Sequence, residues 1–172
     1  MSRKIICNPL NLEYRYQNRI EDGRKSLSRE AADPTVMLFK DTYLLFASMS
    51  GGFWYSDDLV DWKFHETPEL PIYDYAPDVR IVDGKVVFSA SSHGKCRFYT
   101  SADPLHEPFA PMPESFAWWD PNIFQDDDGR VYFYWGCSTK PINGVEVDRK
   151  TLKPKMRRPI WWKTRQNKIG VM

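Results

Sequence analysis

One pattern recurs three times along this chain, and few folds accommodate such a repeat. The first copy is Ala32-Asp33-Pro34-Thr35-Val36-Met37-Leu38-Phe39, a turn at Lys40-Asp41, then Thr42-Tyr43-Leu44-Leu45-Phe46-Ala47-Ser48. The second is Ala76-Pro77-Asp78-Val79-Arg80-Ile81-Val82, a turn at Asp83-Gly84, then Lys85-Val86-Val87-Phe88-Ser89-Ala90-Ser91. The third is Asp120-Pro121-Asn122-Ile123-Phe124, a turn at Asp126-Asp127-Asp128-Gly129, then Val131-Tyr132-Phe133-Tyr134-Trp135. Each has an aspartate beside a proline, a short apolar strand, an Asp-containing turn and a second apolar strand. Asp-Gly between β-branched and aromatic runs is a hairpin signal, because the turn needs positive φ. The aspartates at 33, 78 and 120 lie 45 and 42 residues apart and are read as equivalent.

The repeat continues past each hairpin. Gly52 to Phe64, Cys96 to Phe109 and, more loosely, Asn143 to Pro154 each read as a third strand, a bend and a fourth edge strand. Four antiparallel strands recurring every 40–50 residues are the mark of a β-propeller blade. A β-sandwich with similar hairpins is the rival; the repeat's extension into third and fourth strands favours the propeller. Residues 1–30 read as a lead-in segment with one short strand. Three blades fill residues 31–155. Propellers close with typically four to eight, so an incomplete all-β propeller is expected. Residues 156–172 form a basic tail whose Ile160-Trp161-Trp162 reads as the start of a fourth blade. An open arc leaves strand edges and apolar faces uncovered, which predicts self-association.

Charge narrows the partners. Lys+Arg number 24 and Asp+Glu 23 over 172 residues, a balance that gives no electrostatic reason to expect nucleic acid or a membrane. No apolar run is long enough for a signal peptide or a membrane span, so the default location is cytoplasmic. Cys7, Cys96 and Cys137 have no paired spacing, indicating neither a disulfide framework nor a zinc site. Aromatic residues make up 15% of the chain, which suits a β-rich core or a surface that stacks on sugar rings.

In a propeller the first strand of each blade lines the central channel. Asp33, Asp78 and Asp120 are therefore expected to converge on one mouth of it. Carboxyl groups gathered in an aromatic cleft are how glycosidases work: one protonates the leaving oxygen, another activates water or attacks the sugar. Burial and mutual repulsion then split their pKa values. The plainer account is that Asp beside Pro caps a turn and that repeats repeat their turns. Trp54, Trp118 and Trp119 are candidates to stack on a sugar face, with at least one expected in the core.

Ala32-Asp33-Pro34, Tyr75-Ala76-Pro77-Asp78-Val79 and above all Asp120-Pro121-Asn122-Ile123-Phe124 through Asp126-Asp127-Asp128-Gly129 to Tyr132 and Trp135-Gly136 resemble glycoside hydrolase family 43. So does the run from Tyr55 to Trp62. The family comprises five-bladed propeller enzymes acting on arabinose- and xylose-containing glycans, and the likeness covers roughly residues 31–155. It implies an oligo- or polysaccharide substrate and no cofactor or metal. It implies that Asp33 is the general base that activates water, and that Asp120 tunes the pKa of the general acid and orients it. Asp78 then belongs to the channel wall, as a substrate or scaffold contact. The family inverts configuration, which requires acid and base about 6.5–9.5 Å apart.

The sequence departs from the family at the general acid, a glutamate in a Glu-Gly-Pro-like motif of the following blade. No glutamate occurs from Lys155 to Met172; Glu114 and Glu146 lie in the wrong places. General-acid assistance contributes about 10²–10⁴-fold, so impaired hydrolysis is expected. The alternative is a non-catalytic carbohydrate-binding or vestigial propeller piece. A neighbouring fructoside-acting clan fits less well, lacking here its Trp-Met-Asn-Asp-Pro type of start. His65, His93 and His106 are scattered, without ligand spacing; His93 reads as a turn residue. Asp126-Asp127-Asp128 is too short for a calcium loop and reads as a solvated hairpin tip.

Overall fold

The computed structural model describes residues 10, 12–13, 17–28, 31–71, 75–92, 94–137, 142–155 and 160–161. His93 and most of the basic tail lie outside them. The described chain is built from strands in four antiparallel sheets. β1 (Gln17–Glu21) and β2 (Arg24–Ser28) form a hairpin in the lead-in segment, where one short strand was expected. Its turn, Asp22-Gly23, has positive φ at both residues, as tight two-residue hairpins require.

The three repeats are three four-stranded blades of an incomplete propeller. The first consists of β3 (Thr35–Phe39), β4 (Thr42–Phe46), β5 (Gly52–Ser56) and β6 (Lys63–Glu66), in that order. The second holds β7 (Tyr75–Val82), β8 (Lys85–Ser91), β9 (Tyr99–Ser101) and β10 (Ala110–Pro111). The third holds β11 (Asn122–Gln125), β12 (Val131–Trp135), β13 (Asn143–Val147) and β14 (Ile160–Trp161). Ile160–Trp161 is thus not the start of a fourth blade: it pairs with Asn143 and Gly144 as the outer strand of the third. Near Pro154, where that outer strand was expected, there is only a single bridge to Val147.

The cores lie between the blades, where apolar faces of successive sheets meet. Phe46 and Phe53 of the first blade pack with Val79, Val86, Phe88 and Phe109 of the second. Val82, Val87 and Phe98 of the second pack with Ile123, Val131, Phe133 and Val145 of the third. Burial of such side chains is worth about 1.5–3 kcal/mol each. The opposite face of the first blade, with Leu45, Ala47 and Trp54, is covered partly by Leu10, Leu12, Trp62 and Phe64.

Register along the blades is set by proline. Asp33, Ala76 and Asp120 each precede a proline and each adopt left-handed backbone, with φ of 51°, 48° and 47°. The strand pairings then align Thr35, Asp78 and Asn122, opposite Phe46, Ser89 and Tyr134. This corrects the expected equivalence of the three aspartates. Asp33 and Asp120 match; in the second blade their place is taken by Ala76, and Asp78 lies two residues further into its strand.

Candidate active site

Asp33 and Asp120 stand at the entrances of the inner strands of the first and third blades, and both are exposed. The Asp120 carboxyl is held above the ordinary carboxylate range. Partial removal from water is the main cause, and the negative charge of Asp33 adds to it. The charges of these two carboxylates, 87 residues apart in sequence, therefore interact. Like charges in one site resist joint ionisation, the arrangement that separates acid from base roles.

The backbone at these entrances is pinned. Left-handed φ costs a non-glycine residue about 1–2 kcal/mol and persists where surrounding contacts over-determine it. The Asp120 N–H donates to Ser91 Oγ at 2.8 Å, and the Ala76 N–H donates to Ser48 Oγ at 2.9 Å. Each serine follows or ends the second strand of the preceding blade. The carbonyls just before the left-handed residues are also engaged: Ser48 N–H donates to Ala32 O at 2.9 Å and Gly136 N–H to Trp119 O at 2.8 Å. The sequence reading overlooked both serines, although Ala47-Ser48 and Ala90-Ser91 repeat at matching places.

Asp78 is engaged within the scaffold. It is 4% exposed, accepts the Ile123 N–H at 2.6 Å and pairs with Arg80 at 2.9 Å. Burial pushes its carboxyl up, against the opposing pull of the Ile123 N–H, Arg80 and Asn122. Arg80, also overlooked, donates from Nε to the Ile123 carbonyl at 3.2 Å. On the first blade Thr35 fills the corresponding place and donates to Pro77 O at 2.7 Å.

Two of the three tryptophans proposed for sugar stacking are core residues. Trp54 is 1% exposed, and its indole N–H donates to Glu13 O at 2.7 Å. Trp118 is likewise 1% exposed, donates to Ala90 O at 2.9 Å and packs on Phe98, Phe116 and Phe133. Neither ring has a free face. Trp119, adjacent to Asp120, is 37% exposed and keeps surface for a ligand.

Several other acids and histidines among the described residues are engaged with partners of their own. Glu114 is paired with Arg97 and Glu146 with Lys155. His106 contacts Asp103, and the His65 ring lies tilted against Phe53. The Asp126–Asp128 turn is a hairpin tip closed by Gly129 N–H to Asp126 O. Among the described residues no three His, Cys, Asp or Glu side chains gather as metal ligands would.

Among solved structures the chain is similar to a bifunctional GH43-CE protein of Bacteroides eggerthii, at 21% identity and a TM-score of 0.63, over 77% of this chain and 20% of that one. It is similar to the Cellvibrio cellulosa alpha-L-arabinanase complexed with arabinohexaose, at 17% identity and a TM-score of 0.62, over 78% and 53% of the two chains. An endo-1,4-beta-xylanase from Bacteroides thetaiotaomicron matches at 24% identity and a TM-score of 0.59, over 77% and 52%. At these identities the likeness establishes the shared fold. The chain spans between a fifth and about half of the length of these structures. No curated protein matches it. The sequence pattern of glycosyl hydrolases family 43 matches residues 26–170, most of the chain, and the chain belongs to that family.

Proposed function

We propose that the chain carries the base side of an inverting glycoside hydrolase site for arabinose- or xylose-containing glycans. Asp33 takes a proton from water; the water oxygen forms its bond to the anomeric carbon as the bond to the leaving oxygen breaks. Asp120 orients the general acid and tunes its pKa. Trp119 offers a sugar-stacking face beside Asp120. One observation carries the reading: two carboxylates stand at matching strand entrances two blades apart, and the charge of Asp33 bears on Asp120.

Turnover by this chain alone is low in this reading. The leaving oxygen needs a proton donor, and Glu114 and Glu146 are each tied to a basic partner. A second reading, carbohydrate binding without cleavage, is favoured by that same pairing. Release of p-nitrophenol from arabinofuranosides and xylosides separates the two. Slow release abolished by both Asp33→Ala and Asp120→Ala supports the hydrolase; binding of arabino- or xylo-oligosaccharides with no release supports the second; neither release nor binding refutes both. Self-association belongs to the same proposal. Val36 is 47% exposed where its equivalents Val79 and Ile123 are 0% and 2% exposed, each covered by the preceding blade. Sedimentation showing a monomer at all concentrations refutes it.

A further inference from the structure

We infer that Ser91 is the positioning residue of Asp120: its buried hydroxyl, on the second blade, locks the backbone turn that carries the Asp120 carboxyl. The inference rests on the reading of Asp33 and Asp120 as a functional pair and adds the group that assembles it. Four observations carry it. Ser91 is fully buried at the end of β8, where a hydroxyl needs a partner. Its Oγ accepts the Asp120 N–H at 2.8 Å. Asp120 has φ of 47°, a conformation that sets the direction of its Cα–Cβ bond. Finally, the preceding blade contains the same device without the carboxylate: Ser48 Oγ holds the N–H of Ala76, with φ of 48°.

That internal copy separates positioning from mere structure. Both serines bridge successive blades, so losing either hydroxyl leaves an N–H at a blade entrance without its acceptor. Only Ser91 holds a residue with a titrating side chain. The charge that bears on Asp120 is that of Asp33 on the first blade. The charges of the intervening strand are engaged elsewhere, Asp78 by Ile123, Asn122 and Arg80, and Arg80 by Asp78 and Ile123. Freed from Ser91, the Asp120 backbone relaxes and its carboxyl leaves the surroundings that raise it.

The test is a carbon-detected NMR titration of the Asp120 carboxyl in the wild-type chain, in Ser91→Ala and in Ser48→Ala, with a thermal melt of each. Expected are comparable falls in melting temperature for the two variants, and a downward shift of the Asp120 pKa in Ser91→Ala alone. An unchanged Asp120 pKa in Ser91→Ala, or an equal shift in Ser48→Ala, overturns the inference. If Ser91→Ala does not fold, Ser91→Cys, which retains the bulk and weakens the acceptor, takes its place with the same two outcomes. The readout is a proton on Asp120 and not turnover, so the inference fails separately from the hydrolase reading, which the p-nitrophenol assay decides.

Discussion

The carboxylate of Asp78 accepts the backbone N–H of Ile123 at 2.6 Å across the boundary between the second and third blades. Arg80, two residues on, donates to the carbonyl of the same Ile123. Both backbone polar groups of one residue on β11 are thus held by side chains of β7. Ile123 lies three residues after Asp120, so this clamp ties the inner strands of the second and third blades together just beyond Asp120. A carboxylate buried for this purpose is costly unless hydrogen-bonded, and here its acceptor positions are occupied by Ile123, Asn122 and Arg80.

Asp78→Ala removes the acceptor and leaves the Ile123 N–H buried without a partner. An orphaned buried donor costs about 1–3 kcal/mol, and the half-exposed Arg80 adds little. Urea denaturation should show a lower midpoint with an unchanged slope. A midpoint within error of the wild type would mean that the blades dock without the clamp.

The same residue makes a pH prediction. The Asp78 carboxyl is raised in the folded chain, chiefly by burial. A group whose folded pKa lies above its unfolded value contributes stability that is fully present below the unfolded pKa. That contribution is lost as pH rises through the folded pKa. Stability of the wild type relative to Asp78→Asn should therefore fall as pH rises from the ordinary aspartate range to above it, then level off. Chemical denaturation of both proteins at a series of pH values checks this; a relative stability that rises with pH over that window contradicts it.

Trp118 and Trp119 are neighbours with opposite fates, and their alanine variants should differ accordingly. Trp118→Ala empties a site packed by Phe98, Phe116 and Phe133, a change that costs about 3–5 kcal/mol. Trp119→Ala, at a partly exposed position, should alter stability by less than about 1 kcal/mol and weaken oligosaccharide binding. Calorimetric melts paired with titration of an arabino- or xylo-oligosaccharide measure both. Equal destabilisation by the two, or undiminished binding by Trp119→Ala, would put the sugar face elsewhere.

Gly52 opens β5 where that strand passes very close to β6. A Cβ there would stand 2.1 Å from the His65 carbonyl oxygen and 2.7 Å from the Phe64 ring. Gly52→Ala must push backbone, not a flexible side chain, and overpacking of this kind costs about 1–3 kcal/mol. A melting temperature equal to that of the wild type would show that the first blade yields there without strain.

Hairpins and blades were legible in the chain because their signals are local: alternating apolar runs with Asp-Gly or Asp-containing turns between them. The alignment of the repeats was misread because aspartate drew the eye, whereas proline sets the register. Pro34, Pro77 and Pro121 are spaced by 43 and 44 residues, more evenly than the aspartates, and they mark the left-handed residues before them. Asp78 was thereby grouped with carboxylates it does not join. The burial of Trp118 depends on the carbonyl of Ala90 in another blade, a long-range contact that no pattern around residue 118 encodes. The outer strand Ile160–Trp161 was assigned to a new blade because two residues of edge strand carry no blade-specific signal; only pairing with Asn143 and Gly144 places them.

The coupling between Asp33 and Asp120 can be read without any substrate. The Asp120 carboxyl is raised first by partial loss of water and then by the charge of Asp33. Asp33→Asn keeps the side chain's shape and removes the charge, so the second cause vanishes and the first remains. The Asp120 pKa should fall yet stay above the ordinary aspartate range, as followed by carboxyl NMR titration. Linkage gives a matching sign. A raised folded pKa makes stability decline as pH rises through it, so the decline owed to Asp120 should be shallower in Asp33→Asn than in the wild type. The partners are on different blades, with the second between them in sequence, so the shift also reports whether all three blades keep their arrangement in solution. An Asp120 pKa unmoved by Asp33→Asn would separate the two carboxylates and dissolve the proposed site.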